Sequence, residues 1–291
     1  MSKSVVKKAV FPVAGLGTRI LPATKSIPKE LLPVVDKPIL QYVVDEALNA
    51  GIDELVFVVS RTKNSIQDYF DKSYELEAEL EKKNKIRELT LLRSLLPSDV
   101  DCAYVRQPEA LGLGHAVLCA RMVIGNEPFA VILPDDLMAD SDTIKKMVGH
   151  YAETGSSIIA VEQVDKSQTD KYGVIDTNMD GNGLPRITEI VEKPSPRDAP
   201  SNLAVVGRYV FNPDIFSRLE RTGAGVGGEI QLTDAIASLL QDEAVYAYEL
   251  EGRRFDCGTK LGYLEAIVHY ALHNEELSAG FRDYLHSLEL N

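Results

Sequence analysis

The chain of 291 residues is predicted to adopt an α/β fold in which helices flank a mixed, mostly parallel sheet. Apolar strand-like segments alternate with amphipathic helical segments through the first half, which is the pattern of parallel strands joined by helices. Beyond residue 151, strand-like segments follow one another and predict β-rich additions. A glycine-rich turn follows the first strand, at the sheet edge where parallel α/β proteins bind ligands.

The elements of the first half follow from apolar periodicity and from turn residues. We predict strands at 9–13, 55–59, 103–105 and 129–133, and helices over 38–50, 65–83 and 115–123. Pro38 suits the first position of its helix, and Gly51 suits the position after the end. In the charged helix over 65–83, the expected inward-facing residues are Ile66, Phe70, Leu76 and Leu80.

The second half combines strands with a last group of helices. We predict strands at 157–161, 173–176, 187–192 and 203–211, and helices over 213–219, 229–241 and 260–273. Residues 180–183, Asp-Gly-Asn-Gly, are typical of a hairpin turn. There is no internal repeat and no low-complexity segment.

Composition excludes several classes of protein. The net charge of −13 argues against a general nucleic-acid-binding protein, which would need a basic face, but it allows a nucleotide substrate at a local cluster of cations. Cys102, Cys119 and Cys257 are widely spaced and fit buried thiols in a reducing compartment. We recognise no signal peptide and no apolar run of membrane-spanning length, so we expect a cytoplasmic protein without membrane partners.

The glycine-rich segment 13–19 predicts a phosphate-binding loop, because its backbone N–H groups can converge on an anion. A dinucleotide fingerprint is excluded, since Ile20 occupies the position of its third glycine and Pro22 interrupts a helix there. A P-loop is excluded because the chain contains no Gly-Lys-Ser or Gly-Lys-Thr. The loop also carries Arg19 and Lys29, two cations suited to phosphates.

Two further polar groups follow predicted strands. Gln107 begins a second glycine-containing turn, where its amide could pair with a pyrimidine edge or the glycines could simply start a helix. Asp135 and Asp136 end the strand at 129–133, and carboxylates there, together with Asp256, suit Mg²⁺. A polar loop and a helix cap are the alternatives for these carboxylates.

Glu192 and Lys193 close another strand-like segment. Pro194 favours an extended Lys193, which would project its ammonium group from the sheet edge. The pair could bind a sugar phosphate, or it could be a solvated ion pair. His269 and His273 have a helical metal-ligand spacing, but no other ligand set accompanies them, so we predict no zinc site.

Together these motifs resemble those of the sugar nucleotidyltransferases. The opening signature of that family, Gly-x-Gly-Thr-Arg followed by Pro, Thr and Pro-Lys, is matched by residues 15–19, Pro22, Thr24 and residues 28–29. The resemblance covers nearly the whole chain and is strongest to bacterial members that use UTP and glucose 1-phosphate. Segments 11–19, 23–30, 68–77, 106–117 and 228–236 carry this closer match, and the charged segment 68–77 separates the chain from thymidylyl-transferring relatives.

The resemblance implies a Rossmann-like nucleotidyltransferase fold in a single domain over 1–291. Residues 1–150 would bind mainly the nucleotide and residues 151–259 mainly the sugar phosphate. The C-terminal helical segment 260–291 could contribute to a homodimer or homotetramer.

The resemblance also implies roles for individual residues. The expected catalytic cations are Arg19, Lys29 and Lys193; the nucleotide-binding residues are Ala14, Gly15, Gly17, Thr18, Glu30, Gln107 and Gly112; the sugar-phosphate-binding residues are Gly173, Glu192, Lys193 and Val206; and the Mg²⁺ ligands are Asp135 and Asp256. The role of Asp136 stays open, because the family pattern needs only the first of the two carboxylates.

The implied reaction is Mg²⁺-assisted transfer of a uridylyl group from UTP to glucose 1-phosphate, which gives UDP-glucose and pyrophosphate without a protein nucleophile. Use of dTTP, or of another sugar such as galactose 1-phosphate, is an alternative, because one or two pocket contacts could shift the preference. A catalytically weak regulatory paralogue is another alternative, although a regulator would not need the complete set of charged residues.

Overall fold

The computed structural model describes residues 6–139, 142–179, 181 and 183–288. Their strands are β1 Lys8–Pro12, β2 Pro33–Val34, β3 Lys37–Pro38, β4 Glu54–Val59, β5 Asp101–Arg106, β6 Phe129–Ile132, β7 Asp136–Met138, β8 Ser157–Gln163, β9 Gly173–Met179, β10 Pro185–Glu192, β11 Leu203–Phe211, β12 Val245–Glu249 and β13 Arg254–Asp256. Their α-helices are α1 Ile39–Asn49, α2 Asn64–Phe70, α3 Tyr74–Lys82, α4 Ile86–Arg93, α5 Leu113–Cys119, α6 Arg121–Ile124, α7 Thr143–Thr154, α8 Asp214–Leu219, α9 Leu232–Leu239, α10 Lys260–His273 and α11 Ser278–Ser287.

Nine of these strands form one mixed sheet in the order β5-β4-β1-β6-β11-β8-β12-β10-β9. The first four run parallel, as the alternation of strands and helices predicts. Strand β11 then pairs antiparallel with both β6 and β8, while β12 runs parallel to β8. The β-rich additions thus continue the same sheet rather than forming a separate one. Two small sheets, β13-β7 and β2-β3, lie beside it.

The core lies on both faces of the sheet, because successive strand residues point to opposite sides. Phe11 belongs to the face covered by α1, α7 and α10, whereas its neighbour Val10 belongs to the face covered by α5, α8 and α9. Phe11 also stacks on Phe57 of the adjacent strand, with ring centroids 5.1 Å apart. The central strands are therefore buried on both faces, which is why they are almost continuously apolar.

The single helix predicted over 65–83 is wrong. The chain instead forms α2 and α3, separated at Asp71, whose backbone is extended, and a third helix, α4, follows. Leu76 is 47% exposed, whereas the buried residue of α3 is Glu77, whose carboxylate accepts a hydrogen bond from Arg93 Nε at 2.9 Å. Packing of α3 against α4 through this charged pair overrides the apolar spacing.

Helix α9 is shorter than predicted. It begins at Leu232 rather than Glu229, because Ile230 instead exchanges backbone hydrogen bonds with Leu111 and with Gly114 in the first turn of α5. Helix α10 has the predicted bounds, Lys260–His273.

The predicted hairpin at 180–183 lies partly outside the described residues, which lack 180 and 182. Its flanking strands, β9 and β10, do pair antiparallel. Within the described parts of the chain, no helix is long and apolar enough to cross a membrane.

Candidate active site

A cavity of about 890 Å³ opens beyond the carboxyl end of β6 and beside β9, β10 and β11. It brings together residues from both halves of the chain that the sequence analysis singled out. Those that line it are Arg19, Asp135, Asp136, Gly173, Glu192, Lys193, Val206 and Asp256. The remaining predicted site residues belong to the loop 14–30 and to the turn 107–112.

The loop after β1 folds into short 3-10 turns rather than an α-helix, as Pro22 predicts. Thr24 Oγ1 donates to the carbonyl of Gly17 at 2.7 Å and ties the loop across its width. Ala14 is buried at the end of the strand, whereas Gly15 and Thr18 are exposed. The exposed backbone is therefore free to approach a ligand while Thr24 holds its shape.

Two cations of the loop approach two carboxylates, one after the neighbouring strand β6 and one at the end of β13. Lys29 Nζ lies 2.5 Å from Asp135 Oδ2. Arg19 lies between the carboxylates, with Nη2 3.8 Å from Asp135 Oδ2 and Nη1 3.8 Å from Asp256 Oδ2. The Arg19 side chain is 60% exposed, so its guanidinium can reach a ligand in the cavity.

The two carboxylates differ in their electrostatics. Burial by itself would raise the pKa of Asp135, but Lys29 and Arg19 outweigh burial and hold that pKa below its usual value. The pKa of Asp256 is raised, first by burial and then by repulsion from Asp136 and Asp135. Negative charge around Asp256 is thus incompletely compensated, which favours a cation there.

Gly258 shows how closely these carboxylates converge. A side-chain carbon added at Gly258 would lie 2.9 Å from Asp256 Oδ1, 3.0 Å from Asp135 Oδ2 and 2.5 Å from Arg19 Nη2. The two carboxylates therefore border one small space that only glycine leaves open. Mg²⁺ suits such a space, because it is typically held by one or two carboxylates and completes its coordination with phosphate and water oxygens.

The rest of the coordination shell of such an ion would come from a substrate. Among the described residues, no group of three or more His, Cys, Asp or Glu side chains is arranged to hold a metal. The pair Asp135 and Asp256 fits Mg²⁺ as a partner of bound phosphate rather than as a closed protein site.

Glu30 does not lie where a direct nucleotide contact by its carboxylate would need it. It is 1% exposed, and both of its carboxylate oxygens accept from Lys63 Nζ, at 2.9 and 2.7 Å. Burial raises the pKa of Glu30 and lowers that of Lys63, although each partner opposes the shift of the other. The pair anchors the loop to the segment after β4, beside Lys29. Lys63 was missed because nothing in its sequence context indicates burial.

Gln107 and Gly112 lie together, as the sequence predicts. The Gln107 amide nitrogen donates to the Gly112 carbonyl at 3.1 Å and lies 3.2 Å from His115 Nδ1. A side-chain carbon at Gly112 would meet the Cβ of Glu229 at 2.6 Å, so only glycine permits this approach. The turn therefore packs directly against Glu229, which lines the cavity.

Glu192 and Lys193 lie together in the cavity at the end of β10. Glu192 accepts from Thr233 Oγ1 at 2.9 Å and also lies 2.9 Å from Lys193 Nζ. The extended backbone predicted for Lys193 is wrong: its φ is 47°, a left-handed value rare outside glycine. Its N–H pairs with the Tyr172 carbonyl at 2.9 Å, which turns the chain at the end of β10. Thr233 was missed by the sequence analysis.

Asp136 belongs to an ion-pair network that lines the same cavity. One of its oxygens pairs with Arg254 Nη1 at 2.7 Å, and the other accepts from the Gly207 N–H at 3.0 Å. Arg254 also pairs with Glu162 at 2.7 Å and lies over the Tyr172 ring. The Asp136 carboxylate is thus held by Arg254 and Gly207, while it lies close enough to Asp256 to raise the pKa of that residue.

The chain is similar to known proteins over nearly its whole length. Residues 8–272 match the family model described as nucleotidyl transferase. The UTP–glucose-1-phosphate uridylyltransferase of Haemophilus influenzae is 51% identical over 97% of this chain and 98% of its own length. The enzyme of the same name from Escherichia coli K12 is 50% identical over 96% of this chain and 95% of its own.

Solved structures of UDP-glucose pyrophosphorylases also superpose on this chain. A UTP-bound UGPase from Acinetobacter baumannii superposes with a TM-score of 0.91 at 46% identity, over 98% of this chain and all of that chain. A UDP-glucose pyrophosphorylase complexed with UDP-glucose superposes with a TM-score of 0.84 at 45% identity, over 92% of this chain and 100% of that one. The chain therefore belongs to the nucleotidyl transferase family, and its nearly full-length relatives there include UTP–glucose-1-phosphate uridylyltransferases.

Proposed function

We propose that this protein transfers a uridylyl group from UTP to glucose 1-phosphate and releases pyrophosphate. The observation that carries the proposal is the convergence in one cavity of Arg19 with the carboxylates of Asp135 and Asp256, opposite Glu192 and Lys193. The names of the relatives and the UTP and UDP-glucose bound to their structures support this choice of substrates. Residues 1–150 would supply mainly the nucleotide site and 151–259 mainly the sugar-phosphate site.

On the nucleotide side, Arg19 and Lys29 bind the triphosphate, with the backbone of Gly15, Gly17 and Thr18 closing around it. Lys29, whose ammonium group lies 2.5 Å from Asp135, would exchange that carboxylate for a phosphate oxygen when UTP enters. Ala14, Gln107 and Gly112 contact the nucleoside, and Gln107 reads the uracil edge. Glu30 supports this side indirectly, by holding Lys63 and the loop in place.

On the acceptor side, Lys193 binds the phosphate of glucose 1-phosphate and Glu192 accepts hydrogen bonds from sugar hydroxyls. Gly173 and Val206 line the space for the ring. A phosphate oxygen of glucose 1-phosphate attacks the α-phosphorus of UTP, and the bond to the pyrophosphate oxygen breaks in line. The attacking group is already an anion, so no protein nucleophile and no general base are needed.

The barrier to this reaction is the approach of several negative charges, so positioning and charge neutralisation supply the catalysis. Mg²⁺, held by Asp135 and Asp256, would polarise the phosphoryl oxygens and neutralise charge on the leaving pyrophosphate. Arg19 and Lys29 stabilise the charge that develops on the triphosphate. Lys193 keeps the acceptor phosphate against the repulsion of the donor.

An assay of pyrophosphate release tests the proposal and its alternatives together. UTP is compared with dTTP, and glucose 1-phosphate with galactose 1-phosphate, at fixed Mg²⁺. We expect the highest kcat/KM for UTP with glucose 1-phosphate. A higher value for dTTP or for galactose 1-phosphate would assign a different member of the family, and no turnover with any pair would favour a regulatory paralogue.

We also propose that the enzyme acts in the cytoplasm as a homodimer or homotetramer. Helix α10 exposes Leu264 and Val268, which lie one turn apart and offer an apolar contact for a second copy. Light scattering of the purified chain gives the subunit number, and a monomer at micromolar concentration would contradict this assembly.

A further inference from the structure

The largest fully buried side chain of the described residues is a charged one, Arg208 on β11, which is 0% exposed. Its Nε and Nη2 donate to the Glu46 carboxylate, with distances to Oε2 of 3.0 and 2.7 Å. Glu46, on α1, is 3% exposed and also accepts from the Ile144 N–H at 3.3 Å. An ion pair without access to water is therefore built between α1 and the centre of the sheet.

The other N–H groups of Arg208 bind backbone carbonyls at the floor of the cavity. Nη1 donates to Leu133 O at 3.1 Å and to Gly207 O at 3.0 Å. Nη2 donates to Asp136 O at 2.8 Å. Two of these carbonyls, those of Leu133 and Asp136, bracket Asp135 in the chain. The planar guanidinium reaches them and Glu46 at once, which the single ammonium group of a lysine cannot do.

Stability does not explain such a pair. Removing two charges from water is costly, and apolar residues of similar volume often replace a buried ion pair without loss of stability. What an apolar replacement cannot do is hold three carbonyls in fixed positions. The contacts of Arg208 converge on the turn that presents Asp135 to Arg19 and to the space beside Gly258.

We infer that Arg208 and Glu46 are a positioning pair, which holds the turn 133–136 so that the Asp135 carboxylate meets Mg²⁺ and the triphosphate. The inference rests on the proposed role of Asp135. Because Mg²⁺ demands near-ideal ligand geometry, a loosened turn weakens metal binding and slows turnover. Groups that orient metal ligands typically change metal affinity or activity about 10- to 100-fold when they are replaced.

The test combines two variants, a reference and a control. The double variant Arg208→Met, Glu46→Leu removes both charges. Arg208→Lys keeps the positive charge beside Glu46 but loses the planar guanidinium group. Asp135→Asn is the reference for loss of the carboxylate itself. Phe216→Leu is the control, because Phe216 is buried on the opposite face of the sheet and its truncation disturbs only the core.

The measurements are the melting temperature, kcat, the Mg²⁺ concentration for half-maximal activity, and the Kd for UTP without Mg²⁺. We expect both Arg208 variants to lower kcat about 100-fold and to raise the half-maximal Mg²⁺ concentration about tenfold, while the metal-free Kd stays unchanged. Phe216→Leu lowers the melting temperature without changing the Mg²⁺ dependence.

A folded Arg208 variant with the wild-type kcat and Mg²⁺ dependence would overturn the inference. If the double variant does not fold, Arg208→Lys decides the question by the same readouts. If Asp135→Asn keeps the wild-type Mg²⁺ dependence, the proposed role of Asp135 is wrong instead, which is a separate result.

Discussion

Lys29 Nζ lies 2.5 Å from Asp135 Oδ2, although the two residues stand 106 positions apart in the chain. Burial by itself would lower the pKa of Lys29, but the negative charges of Asp135 and Glu30 raise that pKa by more than burial lowers it. The ammonium group therefore stays charged. Asp135 thus occupies the place of the phosphate that we expect to bind Lys29. Lys29 likewise occupies the place of the metal ion that we expect to bind Asp135. In the proposed mechanism, substrate binding would exchange one charged contact for another and leave neither group unpaired.

Replacing Lys29 by Met should slow turnover, because one charge-assisted hydrogen bond to the triphosphate is lost. Such a bond contributes about 1.5–3 kcal/mol, which corresponds to a fall in kcat of roughly ten- to a hundredfold. Steady-state kinetics at saturating UTP measures it. Lys25→Met, an exposed lysine of the same loop, is the matched control and should keep the wild-type rate. Equal rates in the two variants would remove Lys29 from the mechanism.

Arg19→Ala should reduce kcat much more than it weakens UTP binding. The exposed guanidinium lies 3.8 Å from both carboxylates, so it is placed to stabilise charge that develops at the phosphates during the reaction. Calorimetric Kd values and kcat values separate the two effects. Near-normal turnover with weakened binding would show that Arg19 serves only to bind UTP.

Lys193→Ala should raise KM for glucose 1-phosphate about tenfold or more and leave the Kd for UTP unchanged. The side chain is 45% exposed and paired with Glu192, so its removal leaves the fold intact. Lys166→Ala is the control, since Lys166 is exposed on the turn before β9 and does not line the cavity. An unchanged KM for glucose 1-phosphate in Lys193→Ala would contradict the assignment.

Asp256→Asn should stabilise the protein without ligands while impairing its function. The pKa of Asp256 is raised by burial and by the neighbouring carboxylates, so the ionised form opposes folding at neutral pH. Asparagine removes that charge but can still accept from the Gly258 N–H. Thermal unfolding should show a higher melting temperature without Mg²⁺ and UTP, and a smaller increase when both are added. A lower melting temperature without ligands would show that the carboxylate is compensated in the free protein.

Lys63→Met should cost about 3–5 kcal/mol of folding free energy, because it leaves the buried Glu30 carboxylate unpaired. The loss should depend on pH. Glu30 has a pKa above 4.5 in the folded protein. Its contribution to folding stability is therefore greatest below pH 4.5 and is lost as pH rises through the pKa of the folded state.

Without Lys63 the pKa of Glu30 rises further. Denaturant unfolding of Lys63→Met should therefore show a stability that falls from pH 5 to pH 8. The double variant Lys63→Met, Glu30→Met should remove this slope. A single variant whose stability is independent of pH would mean that water reaches Glu30.

Sequence patterns predicted most of the strands and the helices that cover them, because burial on both faces leaves an unambiguous apolar run. They failed where charged pairs decide the structure. Leu76 matches the apolar spacing of a long helix, yet Glu77 is buried instead, through its contact with Arg93. No local signal distinguishes a carboxylate that will be buried by a distant cation from one that stays in solvent.

By itself, the sequence determined that the chain is an α/β protein, and its motifs predicted a phosphate-binding loop and indicated Arg19, Asp135 and Lys193 as site residues. These features are local, since a glycine turn or a polar strand end keeps its chemistry wherever it lies. The tertiary structure alone decided the partners: Asp135 with Lys29, Glu30 with Lys63, and Arg208 with Glu46. Such pairs join segments far apart in the chain, and desolvation makes each charge depend on the other, so only the folded arrangement determines them.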